Sequence, residues 1–235
     1  RSPYGVFRQG GLHAFYVVLL CSFTLLIPCE SKATDPNIVY ILADDLGAGD
    51  VRSYTGNSPV NTPNIDRLAS AGMRFTNAHS PAAVCTPTRY GILTGRYAWR
   101  TRLQSGVLGS YQSALIDDRR TTVAEFLREN GYATAAFGKW HLGMNWITVD
   151  GNAPQSDGGN VDHSQPFTGG PTDHGFDTYF GDGTINFPPY AYIEENLVQG
   201  TPSETFGGSG GNRVGPKVPD YEQVDSLPAV TNRAV

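Results

Sequence analysis

The residues best suited to chemistry are a cysteine and an arginine that share one predicted helix. Cys85 stands just before a helix start at which Thr86 is the expected N-cap, Pro87 the first helical residue and Gly95 the terminator. Cys85 would then face unpaired N–H groups at the positive end of the helix dipole, where an anion is stabilised. Arg89, about one turn further on, adds a fixed positive charge. The alternative is that Cys85 is a small buried apolar residue beside an ordinary capped helix.

A lysine and a histidine form a second candidate pair, at the end of a strand predicted over residues 131–143. Lys139 and His141 are two positions apart, and in an extended chain such residues point to the same side. An ammonium and an imidazole could therefore face one substrate. The alternative is a surface charge beside a half-buried histidine with a satisfied ring. Further along, Asn186 is a candidate substrate contact, whereas His174 is more typical of a structural histidine.

Two adjacent acids follow the first apolar run of the chain. Residues 37–43 (Asn-Ile-Val-Tyr-Ile-Leu-Ala) are continuously apolar and β-branched, which predicts a strand buried on both faces of a parallel sheet. Asp44 and Asp45 come directly after it. Because ligands gather at the carboxyl ends of strands in open α/β sheets, the pair is placed for a metal or for catalysis. The alternative is a solvated turn.

These stretches together resemble the sulfatase family. Its signature, Cys-x-Pro-Ser/Thr-Arg followed by an apolar pair and Thr-Gly, stands here as residues 85–89 and 92–95, with Thr88 where serine is more usual. The opening Asn-Ile-Val-x-Ile-x-Ala-Asp-Asp-Leu-Gly and the Gly-Lys-Trp-His stretch at 138–141 are similar to further family motifs. Segments at 170–181 and 186–190 are similar to those flanking the cleft in arylsulfatase-type members. The resemblance runs from about Asn37 to the end of the chain.

The resemblance implies sulfate ester hydrolysis. In the family, a maturation enzyme oxidises the cysteine, here Cys85, to formylglycine, whose hydrated aldehyde attacks sulfur and later expels sulfate. Asp44, Asp45 and the Cys85-derived oxygen would bind a divalent cation, Ca²⁺ first and Mg²⁺ as the alternative. Arg89 and Lys139 would balance negative charge, and His141 would protonate the leaving alcohol. Lys139 and His141 are therefore also expected substrate contacts, together with Asn186.

The composition and the N-terminal residues limit the partners and the cellular location of the protein. The 235 residues are 39% apolar with a net charge of −5, and the 17 lysines and arginines form no basic run, which argues against a nucleic-acid partner. Residues 1–33 carry arginines and a short apolar stretch typical of a signal peptide, with an uncleaved anchor as the alternative. Cys21 and Cys29 fall within it, so an exported mature chain keeps only Cys85. The absence of an Asn-x-Ser/Thr sequon favours a bacterial envelope, periplasmic or secreted.

The remaining pattern alternates helices and strands. Helices are predicted at 62–71, packed through Ile65, Leu68 and Ala69, and at 121–131, with a capping box from Thr122 to Glu125. A short strand is predicted at 74–78. From residue 145 onward glycine, proline and small polar residues predict loops. The expected fold is an α/β, alkaline-phosphatase-like sandwich with a large, mostly parallel sheet flanked by helices.

Two other functions remain compatible with the sequence. One is phosphonate or phosphodiester hydrolysis on the same fold, and the other is non-catalytic binding of sulfated glycans by an exported protein. Residues 34–235 are expected to be the N-terminal part of a catalytic domain, cut short at the C-terminal end, because the family's later Asp-Asn pair and second lysine have no counterpart here. The substrate class, a sulfated small molecule or a sulfated glycan, is left open, and the chain alone is expected to be inactive.

Overall fold

A computed structural model describes residues 35–235. The predicted signal peptide, with Cys21 and Cys29, lies outside the described residues. The described residues fall into two units, 35–46 and 47–235.

In the first unit, the strand predicted at residues 37–43 is wrong. Residues 35–43 have no regular secondary structure, and their apolar side chains are exposed: Val39 is 83% and Ile41 84% accessible. A strand exists only where its backbone groups pair with another strand, and no described residue pairs with this run. Asp44 and Asp45 form a bend after it, and Asp45 has a left-handed φ of 59°.

The second unit contains five α-helices among the described residues. They are α1 (Arg52–Thr55), α2 (Pro63–Ala71), α3 (Cys85–Thr94), α4 (Val123–Glu129) and α5 (Ser226–Ala234). Short 3₁₀ helices occur at Ala48–Asp50, Ala98–Arg100, Thr172–His174 and Gln223–Asp225.

The helix predicted at 62–71 is confirmed as α2, but its packing is not. Thr62 is the N-cap residue, and Pro63 is the first helical residue, where its missing N–H costs no hydrogen bond. Ile65 is 41% and Leu68 70% exposed, and α2 has no buried residue, so the predicted packing face is wrong. Residues 74–78, predicted as a strand, are irregular.

The capping box predicted at the start of α4 is confirmed. The Thr122 hydroxyl accepts from the Glu125 N–H at 3.1 Å, and the Glu125 carboxylate accepts from the Thr122 N–H at 2.8 Å. This reciprocal pair satisfies two N–H groups that the helix leaves unpaired. Thr122 is buried and its hydroxyl also donates to the His174 carbonyl, which anchors α4 to the later chain.

The later half of the chain, predicted as loops, contains most of the strands. Strands β1 (Ala135–Lys139), β2 (Thr178–Asp182), β3 (Ile193–Glu194) and β4 (Leu197–Val198) form one sheet in that order. Only β1 and β2 are parallel; β2–β3 and β3–β4 are antiparallel. Strands β5 (Glu204–Phe206) and β6 (Gly215–Lys217) form a separate antiparallel pair. The described sheet is therefore small and mixed rather than large and mostly parallel.

The core of the second unit lies between α3, the β1–β2 pair and the segments that follow them. It is rich in aromatic side chains, and α5 packs on β1 and β2. Its buried aromatic members are Tyr90, Tyr111, Trp140, Trp146, Phe167 and Tyr179. No helix within residues 35–235 is long and apolar enough to cross a membrane.

Candidate active site

Cys85 is the first residue of α3, and its thiol is free and half-buried. Val84, not Thr86, is the N-cap residue, with extended φ and ψ of −136° and 159°. The helix therefore begins earlier than predicted. Because the N–H groups of the first turn lack helical acceptors, Cys85 lies at the positive end of α3. The predicted terminator is confirmed, since Gly95 is left-handed with φ 64°.

Thr86 does not cap the helix because its hydroxyl has another partner. The side chain is fully buried, and Oγ1 accepts a hydrogen bond from the Leu108 N–H at 3.2 Å. The segment before the helix is fixed separately, by the Thr88 hydroxyl, which donates to the Ala82 carbonyl at 2.7 Å. Gly91 lets this segment approach α3, since a Cβ there would lie 2.6 Å from the Pro81 side chain.

Arg89 connects the cysteine helix to the end of β1. Its Nη1 donates to the Lys139 carbonyl oxygen at 2.5 Å, although the two residues are 50 positions apart. Both side chains are half-buried. Lys139 is the last residue of β1 and pairs in register with Asp182 of β2. The end of the predicted strand is thus brought to the predicted helix.

His141 reaches the same region by a route that strand alternation does not describe. The strand ends at Lys139, and His141 has a left-handed φ of 54°, so the argument from i and i+2 in an extended chain is wrong. The ring is buried, and Nε2 lies 2.9 Å from the Leu108 carbonyl oxygen. Since a carbonyl only accepts, Nε2 carries the proton of that bond. The backbone of Leu108 therefore links His141, through its carbonyl, to Thr86, through its N–H, next to Cys85.

The loop at residues 183–187 borders His141. Its Gly183 carbonyl accepts a hydrogen bond from the backbone N–H of His141 at 2.8 Å. The Phe187 ring contacts the imidazole edge-on, with the ring centroids 5.7 Å apart. Asn186 is half-buried in this loop, and its backbone carbonyl accepts a hydrogen bond from the Tyr190 hydroxyl at 3.1 Å. Its role as a substrate contact stays a prediction.

Sequence reasoning missed Asp182, a buried carboxylate beside Lys139. Its Oδ1 accepts from the Ile185 N–H at 2.6 Å, and its Oδ2 accepts from the Ser226 hydroxyl at 3.3 Å. Burial raises the pKa of Asp182, and the charges of Lys139 and Arg89 oppose that rise. The available signal was an acid at the end of an aromatic stretch, a pattern like the one that singled out Asp44 and Asp45.

His174 is buried and stacks on Trp140 at 6.3 Å with an interplanar angle of 16°. Burial lowers its pKa below the ordinary value, so the ring is neutral near pH 7. This environment suits the predicted structural role.

The predicted metal ligands Asp44 and Asp45 do not form a complete metal site in the part of the chain that the structure describes. Within residues 47–235 no three His, Cys, Asp or Glu side chains converge as a metal site. Asp44 and Asp45 belong to the first unit, where both are exposed. Two carboxylates match the oxygen preference of Ca²⁺ or Mg²⁺, but Ca²⁺ takes about six to eight oxygen ligands. The donor chemistry of the predicted ligands fits a hard cation, and the two carboxylates would supply part of its shell.

The fold and these motifs belong to a known family. Residues 36–231 match the Sulfatase family model, which agrees with the extent of the resemblance, and the chain is a member of the sulfatase family. Its described α/β structure also matches a solved structure from work on the metabolism of multiple glycosaminoglycans by Bacteroides thetaiotaomicron. That match has a TM-score of 0.69 and 32% identity, and covers 85% of this chain and 47% of the other.

Curated relatives carry sulfatase names. The N-acetylgalactosamine-6-O-sulfatase of Bacteroides thetaiotaomicron is 39% identical over 191 residues, which cover 77% of this chain and 35% of the relative. Human arylsulfatase D is 38% identical over 172 residues, covering 70% of this chain and 26% of the relative. The chain thus spans about a third or less of the length of these two relatives.

Proposed function

We propose that the chain is the N-terminal part of a catalytic domain that hydrolyses sulfate esters. The observation that carries the proposal is the hydrogen bond from Arg89 to the Lys139 carbonyl, which joins the cysteine helix to the Gly-Lys-Trp-His strand. Membership of the sulfatase family supports the reaction class. The substrate is a sulfated small molecule or a sulfated glycan.

Each residue of the site has a proposed task. Oxidation of Cys85 to formylglycine by a maturation enzyme supplies the nucleophile for sulfur. The positive end of α3, with Arg89 and Lys139, stabilises negative charge on the sulfate oxygens. His141, doubly protonated with its Nε2–H bonded to the Leu108 carbonyl, gives its Nδ1 proton to the leaving alcohol oxygen. Asn186 contacts the substrate from the loop that borders His141.

Asp44 and Asp45 are the proposed metal ligands of this chain, together with the oxygen that replaces the Cys85 sulfur. A bound Ca²⁺, or Mg²⁺, would supply positive charge that polarises the sulfate. The remaining ligands would come from sequence beyond this chain.

We further propose that the complete domain builds the large, mostly parallel sheet. The exposed apolar run at 38–42 supports this, since Val39 and Ile41 are more than 80% accessible where a core strand is expected. An exposed run of apolar, β-branched residues is an aggregation hazard. Strands supplied by the rest of the domain would pair with it. The 235-residue chain alone is therefore expected to be poorly soluble and inactive. The complete protein would be exported, to the periplasm or beyond, in a bacterium.

The proposal is tested with the complete protein on an aryl sulfate and an aryl phosphodiester. We expect Ca²⁺-dependent turnover of the sulfate and none from the 235-residue chain. Arg89→Gln should lower kcat/KM by about 10²- to 10³-fold, the usual loss when one charge-stabilising donor is removed. Arg67→Gln, an exposed arginine on α2, is the matched control and should leave turnover unchanged. Preference for the phosphodiester would favour a phosphonate or phosphodiester hydrolase. Binding of a sulfated glycan without turnover would favour a non-catalytic binding protein.

A further inference from the structure

Arginines that are scattered in the sequence converge on one groove of the second unit. Segments 96–102 and 114–120 form its two walls, with Tyr90 of α3 between them, and its volume is about 620 Å³. The charged lining, which defines the arginine groove, is Arg96, Arg100, Arg102, Arg119, Arg120 and Asp117. Five arginines face one carboxylate in a chain whose net charge is −5. The absence of a basic run therefore did not mean the absence of a basic surface.

Two of the five arginines are used by the protein itself. Arg102 donates to the Ala114 carbonyl at 2.8 Å and to the Ser113 carbonyl, which ties one wall of the groove to the other. Arg119 makes a two-point contact with Asp117, from Nε to Oδ1 at 2.9 Å and from Nη2 to Oδ2 at 3.1 Å. The hydrogen bonds that Arg119 donates lower the pKa of Asp117 to about 2, so this carboxylate stays ionised.

The other three arginines leave positive charge in the groove. No carboxylate within residues 35–235 pairs with Arg96, Arg100 or Arg120. The Nε of Arg96 is buried and has no hydrogen-bond acceptor among those residues. A buried donor without an acceptor costs free energy that a bound acceptor would recover. The planar guanidinium suits oxyanions, to which it donates two parallel hydrogen bonds.

An aromatic pair lies in the same segment as Arg96 and Arg100, although neither ring lines the groove. Tyr97 and Trp99 follow Arg96 in the chain, are 55% and 58% exposed, and stack on each other with centroids 6.0 Å apart. Large aromatic side chains are usually buried in a core or an interface, so two stacked, exposed rings provide an apolar surface that a ligand can cover. Flat rings of this kind can receive the C–H face of a sugar. The groove volume falls within the range of ligand pockets, about 300–1,000 Å³, and is far larger than one sulfate group requires.

We propose that the arginine groove binds a segment of a sulfated oligosaccharide. Arg96, Arg100 and Arg120 take the sulfate groups, and Tyr97 or Trp99 supports a sugar ring that extends beyond the groove lining. The sulfates bound here are not the ester that is hydrolysed at Cys85. The choice of a sulfated sugar over another polyanion rests on the proposed function; the anion site itself rests on the geometry of the groove.

Binding is measured by calorimetry in the complete protein carrying Cys85→Ala, which prevents turnover of the ligand. The probes are a sulfated chondroitin hexasaccharide, the same hexasaccharide without sulfate, and inorganic sulfate. The test variant is Arg100→Gln/Arg120→Gln. Its matched control is Arg67→Gln/Arg128→Gln, which removes the same charge from exposed positions on α2 and α4. Trp99→Ala tests the aromatic contact, and circular dichroism checks that each variant is folded.

We expect the sulfated hexasaccharide to bind at least tenfold more weakly to the test variant than to the control, and more weakly still in high salt. Trp99→Ala should weaken the hexasaccharide but not inorganic sulfate. Arg100→Lys/Arg120→Lys should recover part of the affinity, because charge returns without the two-point contact.

Equal affinity of the test and control variants would overturn the proposal, as would equal binding of the unsulfated hexasaccharide. The proposed function fails independently, if the complete protein with Cys85 intact hydrolyses no sulfate ester while its groove still binds the sulfated probe. Conversely, the complete protein could hydrolyse a sulfate ester normally while the groove variants bind the sulfated hexasaccharide as well as the control does. That result would reject the proposed groove site and leave the proposed function standing.

Discussion

Thr86→Val is the perturbation whose effect follows most directly from the contacts around Cys85. The Thr86 hydroxyl is the acceptor for the Leu108 N–H, and both residues are buried, at 0% and 2% exposure. Valine keeps the branched shape but offers no acceptor. The substitution therefore opens little cavity and leaves one buried N–H without a partner.

The size of the effect follows from that single lost acceptor. An unsatisfied buried donor costs about 1–3 kcal/mol of unfolding free energy. For a domain of 150–250 residues each kcal/mol corresponds to about 2–4 °C in melting temperature. Activity should fall as well, because the carbonyl of the same residue, Leu108, accepts the hydrogen bond from His141 Nε2. A shift of the Leu108 backbone to find another acceptor would move His141, the proposed proton donor, so kcat should fall more than KM rises.

The assay is chemical and thermal denaturation of the complete protein, followed by turnover of an aryl sulfate. Thr94→Val is the matched control on the same helix. The Thr94 hydroxyl donates to the Tyr90 carbonyl at 2.6 Å, within the helix, and its loss leaves no buried donor stranded. We expect less than about 0.5 kcal/mol for the control. If Thr86→Val were as stable and active as the unmodified protein, the Leu108 link between Cys85 and His141 would be wrong.

Two further predictions concern the carboxylates. Asp45→Asn should lower metal content more than stability, because it removes one charged ligand from an exposed bend, and activity should recover partly at high Ca²⁺; unchanged metal content would reject the ligand assignment. Asp182→Asn should change the pH dependence of stability. Since burial raises the pKa of Asp182 in the folded state, its contribution is present below the ordinary aspartate pKa and is lost as pH rises through the raised value. Denaturation from about pH 4 to about pH 8 should therefore show the variant gaining stability relative to the unmodified protein; parallel pH profiles would contradict this.

Features set by neighbouring residues were predictable from sequence. The capping box of α4 and the terminal Gly95 of α3 depend on side chains and backbone angles within a few positions. Strand β1 was also predicted, because its apolar run precedes a clear change to Gly-Lys-Trp-His. The start of α3 was misplaced because the partner of Thr86 is Leu108, 22 positions away.

Features that depend on distant pairing were not predictable. The run at 37–43 has the composition of a core strand but has no partner strand among the described residues. The strands after residue 177 lie in a glycine- and proline-rich stretch, where backbone pairing rather than periodicity defines them. Asp182 and the arginine groove share this cause, since each acquires its environment only when separate segments meet. The positive φ of His141 likewise follows from its bonds to Gly183 and Leu108.

The most direct test of the proposed chemistry is the mass of the peptide that contains Cys85. Protein made in a host with the maturation enzyme is digested, analysed by mass spectrometry, and labelled in parallel with a hydrazide. We expect a residue lighter than cysteine at position 85 and hydrazide labelling that Cys85→Ala abolishes. An unmodified thiol at position 85 in all of the protein, with no labelling, would contradict the assignment of Cys85 as the precursor of the catalytic aldehyde.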